Sequence, residues 1–116
     1  MTEEGLLQIS VADYLRLVLP PSTPWSHFPA GEKRDLRTGA KLKRFGLATG
    51  WPDILILSPL ICIELKAAKG VLSKSQKEFR IKCEQNNIPY YICRSIDEVQ
   101  RVLEICKMPM RVKVSV

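Results

Sequence analysis

The chain has 116 residues, 46% of them hydrophobic, which suits one domain built around a single core. Eighteen Lys and Arg against 12 Asp and Glu give a formal charge of +6, so the surface attracts polyanions, with nucleic acid or an anionic membrane as the first candidates. No apolar run approaches the roughly 20 residues of a membrane span, and the acidic start (Glu3, Glu4) is unlike a signal peptide, so the expectation is a soluble, cytoplasmic protein.

Apolar residues at helical spacing (Leu7, Val11, Leu15, Val18) predict a first helix over Gly5 to Leu19, which Pro20-Pro21 ends. The stretch PPSTPWSHFPAG is a proline-rich loop with at most a short strand at Ser26 to Phe28. A basic helix follows from about Asp35, its plausible cap, to Phe45, weakened by Gly39 and closed by Gly46 and Gly50. Two Ile- and Leu-rich runs, Asp53 to Leu57 and Leu60 to Leu65, flank Ser58-Pro59 and predict a buried antiparallel hairpin. A third helix spans Ser73 to Gln85, a strand Tyr90 to Cys93, and a fourth helix Ile96 to Cys106 with Ile96, Val99, Val102, Leu103 and Cys106 facing inward. The alternating tail Met110 to Val116 reads as an edge strand. This order is that of a mixed α/β domain.

Cys62, Cys83, Cys93 and Cys106 are far apart, form no CxxC pair and have only His27 as an imidazole companion, which argues against zinc and for buried thiols. The chemistry concentrates instead at Gly50-Trp51-Pro52-Asp53 and Glu64-Leu65-Lys66. Side chains alternate along a strand, so Glu64 and Lys66 share a face while Ile63 and Leu65 take the other. A turn near Pro59 brings Asp53 beside them. Two carboxylates and an ammonium at the edge of an apolar sheet are costly to desolvate unless a cation or mutual pairing offsets the charge, and magnesium accepts such hard oxygen ligands while keeping several waters. Taken alone, Glu-Leu-Lys fits a solvated rim of ion pairs better than a catalytic site. The Pro-Asp that opens the preceding strand and the basic surroundings favour catalysis.

Those surroundings are Lys33, Arg34, Arg37, Lys41, Lys43 and Arg44, opposed only by Asp35, with Lys69 and Lys74 beyond the Glu-Leu-Lys strand. On a helix Arg34, Arg37, Lys41 and Arg44 form one stripe, suited to successive phosphates, although a solvated face is the plain alternative. The stripe lacks the broad apolar face and aromatic anchors of a membrane-surface helix. Trp25 and Trp51 fit core or interface positions better than base stacking, and His27 stays outside the site as an ordinary loop contact.

GWPDILIL, IELKAAKGVLSKSQ and the preceding RDLRTGAKLKRFGLATG resemble the VRR-NUC branch of the PD-(D/E)XK nucleases, over nearly the whole chain through CRSIDEV. The resemblance implies a restriction-endonuclease-like core, a mixed central sheet with a catalytic hairpin flanked by helices. It also implies cleavage of DNA, often branched or flap-bearing, with Mg²⁺ or Mn²⁺, and a homodimer like the stand-alone junction resolvases. On that pattern Asp53, Glu64 and the carbonyl of Leu65 are metal ligands, Lys66 is the catalytic lysine, Gln76 is the polar residue of the next helix, and the first-helix Glu falls near Glu4, one turn before Gln8. Ser73 and Gln76 also form a capping box, a structural account of the same glutamine. Where many relatives read Pro-Asn-Gly-Gly, this chain has Pro29-Ala30-Gly31-Glu32. A nucleic-acid-binding module with this fold and no turnover is the alternative function.

Overall fold

The computed structural model describes residues 1–29 and 36–114. Along the chain run α1 (Glu3–Val18), β1 (Trp25–His27), α2 (Leu36–Arg44), β2 (Ile54–Leu57), β3 (Leu60–Leu65), α3 (Lys74–Gln85), β4 (Tyr90–Cys93) and α4 (Ile96–Ile105). The strands form one mixed sheet in the order β1-β2-β3-β4, antiparallel except for the β3–β4 pair. Its centre is the predicted hairpin, in which Leu57 pairs with Leu60 across Ser58-Pro59 and Ile54 pairs with Ile63. That register puts Asp53 level with Glu64, one step beyond the last pair.

Strand alternation sorts the residues onto two faces. Ile54, Ile56, Ile61, Ile63 and Leu65 are fully buried with Leu15 of α1 and Leu103 of α4. Each such side chain contributes about 1.5–3 kcal/mol by leaving water, which fixes both helices on that side. Cys62 and Glu64 take the opposite side, where Cys62 meets Cys83 of α3. A slip of one residue would exchange these sets, so burial of the Ile and Leu residues locks the orientation of Glu64.

The first helix begins at Glu3, two residues before the expected start, because the Thr2 hydroxyl caps it by accepting from the Gly5 amide at 3.0 Å. The tail is a correction: through Val114 it is not a strand. The Arg111 amide donates to the Val18 carbonyl, its guanidinium to the Arg16 carbonyl, and the Val114 amide to Gln100. Met110 and Val114 pack on the core while Val112 stays exposed. Alternation alone misses that the end of α1 offers these carbonyl acceptors. The expected helix cap Asp35, the loop positions Ala30, Gly31 and Glu32, and the tail residues Ser115 and Val116 lie outside the described residues. Three cysteines are buried and Cys106 is half-buried, all as free thiols.

Candidate active site

The hairpin register and α3 together assemble a cleft of about 490 Å³ whose walls include Glu4, Gln8, His27, Asp53, Glu64 and Gln76. Asp53 stands just before β2 and is held at both ends. Its carboxylate accepts from the Leu65 amide at 2.7 Å, and its carbonyl accepts from the Phe28 amide at 2.8 Å. Nδ1 of His27 lies 2.9 Å from the same carbonyl and donates to it as the Nδ1–H tautomer.

Glu64 is only 1% exposed. One of its oxygens, Oε2, accepts from Gln76 Nε2 at 3.0 Å and lies 3.7 Å from Lys66 Nζ. The other, Oε1, is buried with no hydrogen-bond partner. Burial pushes its pKa up to about 8; the nearby Asp53 charge and then the Glu4 charge add to the rise, and Lys66 opposes it. A buried carboxylate oxygen without a partner costs free energy that a cation removes on arrival.

Gln76 joins the two readings its sequence position allows. Its Oε1 accepts from the Ser73 amide at 2.8 Å, closing the capping box, while its Nε2 reaches Glu64. One side chain thus caps the start of the helix and orients the carboxylate. Gly50 brings α3 close enough: at φ +86° its bare Cα rests against the first turn, and a Cβ there would collide with the Ser75 carbonyl.

The donor set suits magnesium or manganese: Asp53, Glu64 with its unpartnered oxygen, and the Leu65 backbone, which also lines the cleft. Among the described residues no group of three or more His, Cys, Asp or Glu side chains has the arrangement of a metal site. Two carboxylates with carbonyl and water ligands are enough for a hard cation, whereas zinc in a structural site takes four protein ligands.

None of the described residues expected to bind phosphate is among those that line this cleft. Arg37, Lys41 and Arg44 share one face of α2, whose residues are all exposed or half-buried, and Lys43 is exposed on another. Lys69 and Lys74 are exposed too, while Lys33 and Arg34 lie outside the described residues. Trp51, 38% exposed, sits between the rings of Phe28 and Phe79 at 5.4 and 5.0 Å, a surface aromatic cluster.

Two residues escape the sequence reading. His27 reaches the cleft only because β1 pairs with β2, setting it opposite Ile54. Arg94, at the end of β4, gathers the loop after Lys66, donating through Nη1 to the carbonyls of Ala67 at 2.6 Å, Ala68 at 3.3 Å and Gly70 at 2.8 Å. A lone histidine and a single arginine carry no motif that would have marked them.

No protein-family model matches the chain, and no curated protein matches it. Among solved structures, a VRR_NUC domain protein superposes on 94% of this chain and 92% of its own length, with a TM-score of 0.73 at 22% sequence identity. The two share the mixed α/β fold.

Proposed function

We propose that the chain is a divalent-metal-dependent deoxyribonuclease, hydrolysing phosphodiester bonds with selectivity for branched DNA, a four-way junction or a flap. The observation that carries this reading is Glu64: a buried carboxylate with one oxygen unsatisfied, facing a cleft it shares with Asp53 and close to the Lys66 ammonium. Asp53, Glu64 and the Leu65 carbonyl would hold Mg²⁺ or Mn²⁺, which supplies Lewis-acid polarisation of a phosphate oxygen and an acidified water. Lys66 orients the attacking water and offsets the negative charge that builds on the phosphoryl oxygens in the transition state. Gln76 fixes the Glu64 carboxylate, and Glu4 stands at the mouth, where it acts on the Glu64 charge. Arg37, Lys41, Lys43 and Arg44, with Lys33, Arg34, Lys69 and Lys74, hold phosphates without reading bases.

A homodimer belongs to the same reading, since one small domain with one site must cut two strands, and C2 pairing sets two sites at a fixed spacing. Light scattering at micromolar concentration is expected to report about twice the chain mass; a monomer that resolves junctions symmetrically removes the dimer. The function is tested with labelled linear, flap and four-way DNA in Mg²⁺, Mn²⁺ or EDTA, comparing wild type with Glu64→Gln. Cleavage is expected with metal and wild-type protein only. Metal-independent binding with no cleavage in any lane makes the chain a binding module.

A further inference from the structure

The backbone of Lys66 is fixed by the sheet, its amide donating to the Cys93 carbonyl at 3.1 Å just past the last β3–β4 pair, Leu65 with Cys93. Its side chain is a long flexible stem, and backbone pairing does not aim the ammonium at its end. Yet Lys66 is buried, with Nζ 3.7 Å from Glu64 Oε2. Part of what covers it is the chain that follows. Residues 66–73 form neither helix nor strand, and they turn back at once, the Gly70 amide donating to the Ala67 carbonyl at 2.9 Å. Gly70 thereby comes against the lysine: a Cβ there would lie 3.5 Å from Lys66 Cδ.

The turn has little of its own to keep it in that place. Ala68 and Lys69 are exposed and Ala67 and Gly70 only half-buried, so it adds almost nothing to the core. What gathers it is Arg94, the first residue after β4. Its Nη1 donates to the Ala67 carbonyl at 2.6 Å and the Gly70 carbonyl at 2.8 Å, with the Ala68 carbonyl a weaker third at 3.3 Å. Carbonyl oxygens turned toward one point repel each other unless a cation stands there, and a fixed guanidinium supplies it. Arg94 is anchored in turn. Its amide donates to Glu98 Oε1 at 2.9 Å, and the Glu98 amide donates to the Ser95 hydroxyl at 3.1 Å, which ties the root of the arginine to the first turn of α4. Cys93 and Val99, on either side of it, belong to the core.

We infer that Arg94 is a positioning residue for Lys66: its guanidinium fastens the 67–70 turn against the lysine stem and so fixes where the ammonium stands beside Glu64. The inference rests on the nuclease reading for its effect on rate, because a misplacement of about 1 Å in a charged group near the reacting phosphate costs up to about a hundredfold. Arg94 touches neither substrate nor metal in this arrangement and acts through the turn alone.

The first test needs no turnover. Metal-free protein is trace-labelled with acetic anhydride, and the acetylation of Lys66 is read by mass spectrometry as a ratio to that of exposed Lys82 on α3. In the wild type the ratio is expected to be far below one. Arg94→Met keeps the apolar stem and loses the donors; it should raise the ratio about tenfold by letting the turn open, with unchanged circular dichroism. Arg94→Gln, polar but too short to reach the carbonyls, should do the same and decides the matter if the methionine variant does not fold. Arg94→Lys, which keeps a cation, should restore part of the protection. An unchanged ratio in the folded variant overturns the inference. In cleavage assays Arg94→Met should lower kcat about tenfold or more with KM little changed, and Mn²⁺ affinity by calorimetry should stay at the wild-type value. An unaltered kcat, or a loss of Mn²⁺ affinity in step with the rate, also overturns it, since the arginine then does nothing for the reaction or works through the metal ligands. A wild type that cuts no DNA while its Lys66 ratio responds to Arg94 removes the proposed function and leaves the hold of Arg94 on Lys66 standing.

Discussion

Glu64 concentrates the energetics of the site in one side chain. In the folded protein its pKa is pushed up to about 8, chiefly by burial and then by Asp53, against 4.5 for an ordinary glutamate. The folded state therefore keeps a proton that the unfolded chain releases. Stability from this group is full below about 4.5 and is lost as pH rises toward about 8. In EDTA the wild type is expected to melt lower at pH 8 than at pH 5. Glu64→Gln, the same shape without the charge, should flatten that slope and raise the pH 8 midpoint by on the order of 5 °C. Magnesium should raise the wild-type midpoint at pH 8 and leave the variant unmoved. Thermal melts by circular dichroism at the two pH values check all three; a wild type as stable at pH 8 as at pH 5 contradicts the assignment.

At the scale of elements, α3 carries two separable duties. Ser73→Ala removes its N-cap without touching Glu64 and should cost about 1 kcal/mol of stability while leaving the orientation of the carboxylate intact. Gln76→Ala loses both the cap partner and the Glu64 contact, so its stability loss is similar but its cleavage rate should fall at least tenfold further. Urea melts beside initial rates separate the two; equal rates would reduce Gln76 to a cap. Gly50 positions the same helix from outside. Gly50→Ala must both strain a φ of +86° and push back the Ser75 carbonyl, and is expected to cost about 3 kcal/mol. Gly46→Ala, at φ +105° with open space around it, should cost only about 1 kcal/mol. Similar losses at the two sites would mean that packing on α3 does not matter.

For the whole molecule, the proposed function would make DNA affinity a matter of counterion release, given the +6 charge and an α2 with no buried residue. Affinity for duplex DNA should fall steeply with salt, and Arg37→Ala with Lys41→Ala should reduce the slope of log affinity against log salt by about 2. An unchanged slope would show that α2 does not touch phosphate. No described helix is long and apolar enough to cross a membrane.

Local rules were enough for the hairpin, the flanking helices and the grouping of Asp53, Glu64 and Lys66, because strand alternation and helical spacing are carried by neighbouring residues and the Ile and Leu runs leave one register that buries them. The Ser73–Gln76 box was equally legible, being three residues long. The tail was not: its alternation matched a strand, but the carbonyls at the end of α1, nearly a hundred residues earlier in the chain, gave its amides other partners. His27 entered the cleft through β1–β2 pairing, and Arg94 gathered a loop more than twenty residues away. The sequence by itself determined which residues are apolar, charged or able to cap. Tertiary structure alone decided which distant polar groups meet, because the burial that brings them together is a sum over the whole core and leaves no local pattern at the residues it juxtaposes.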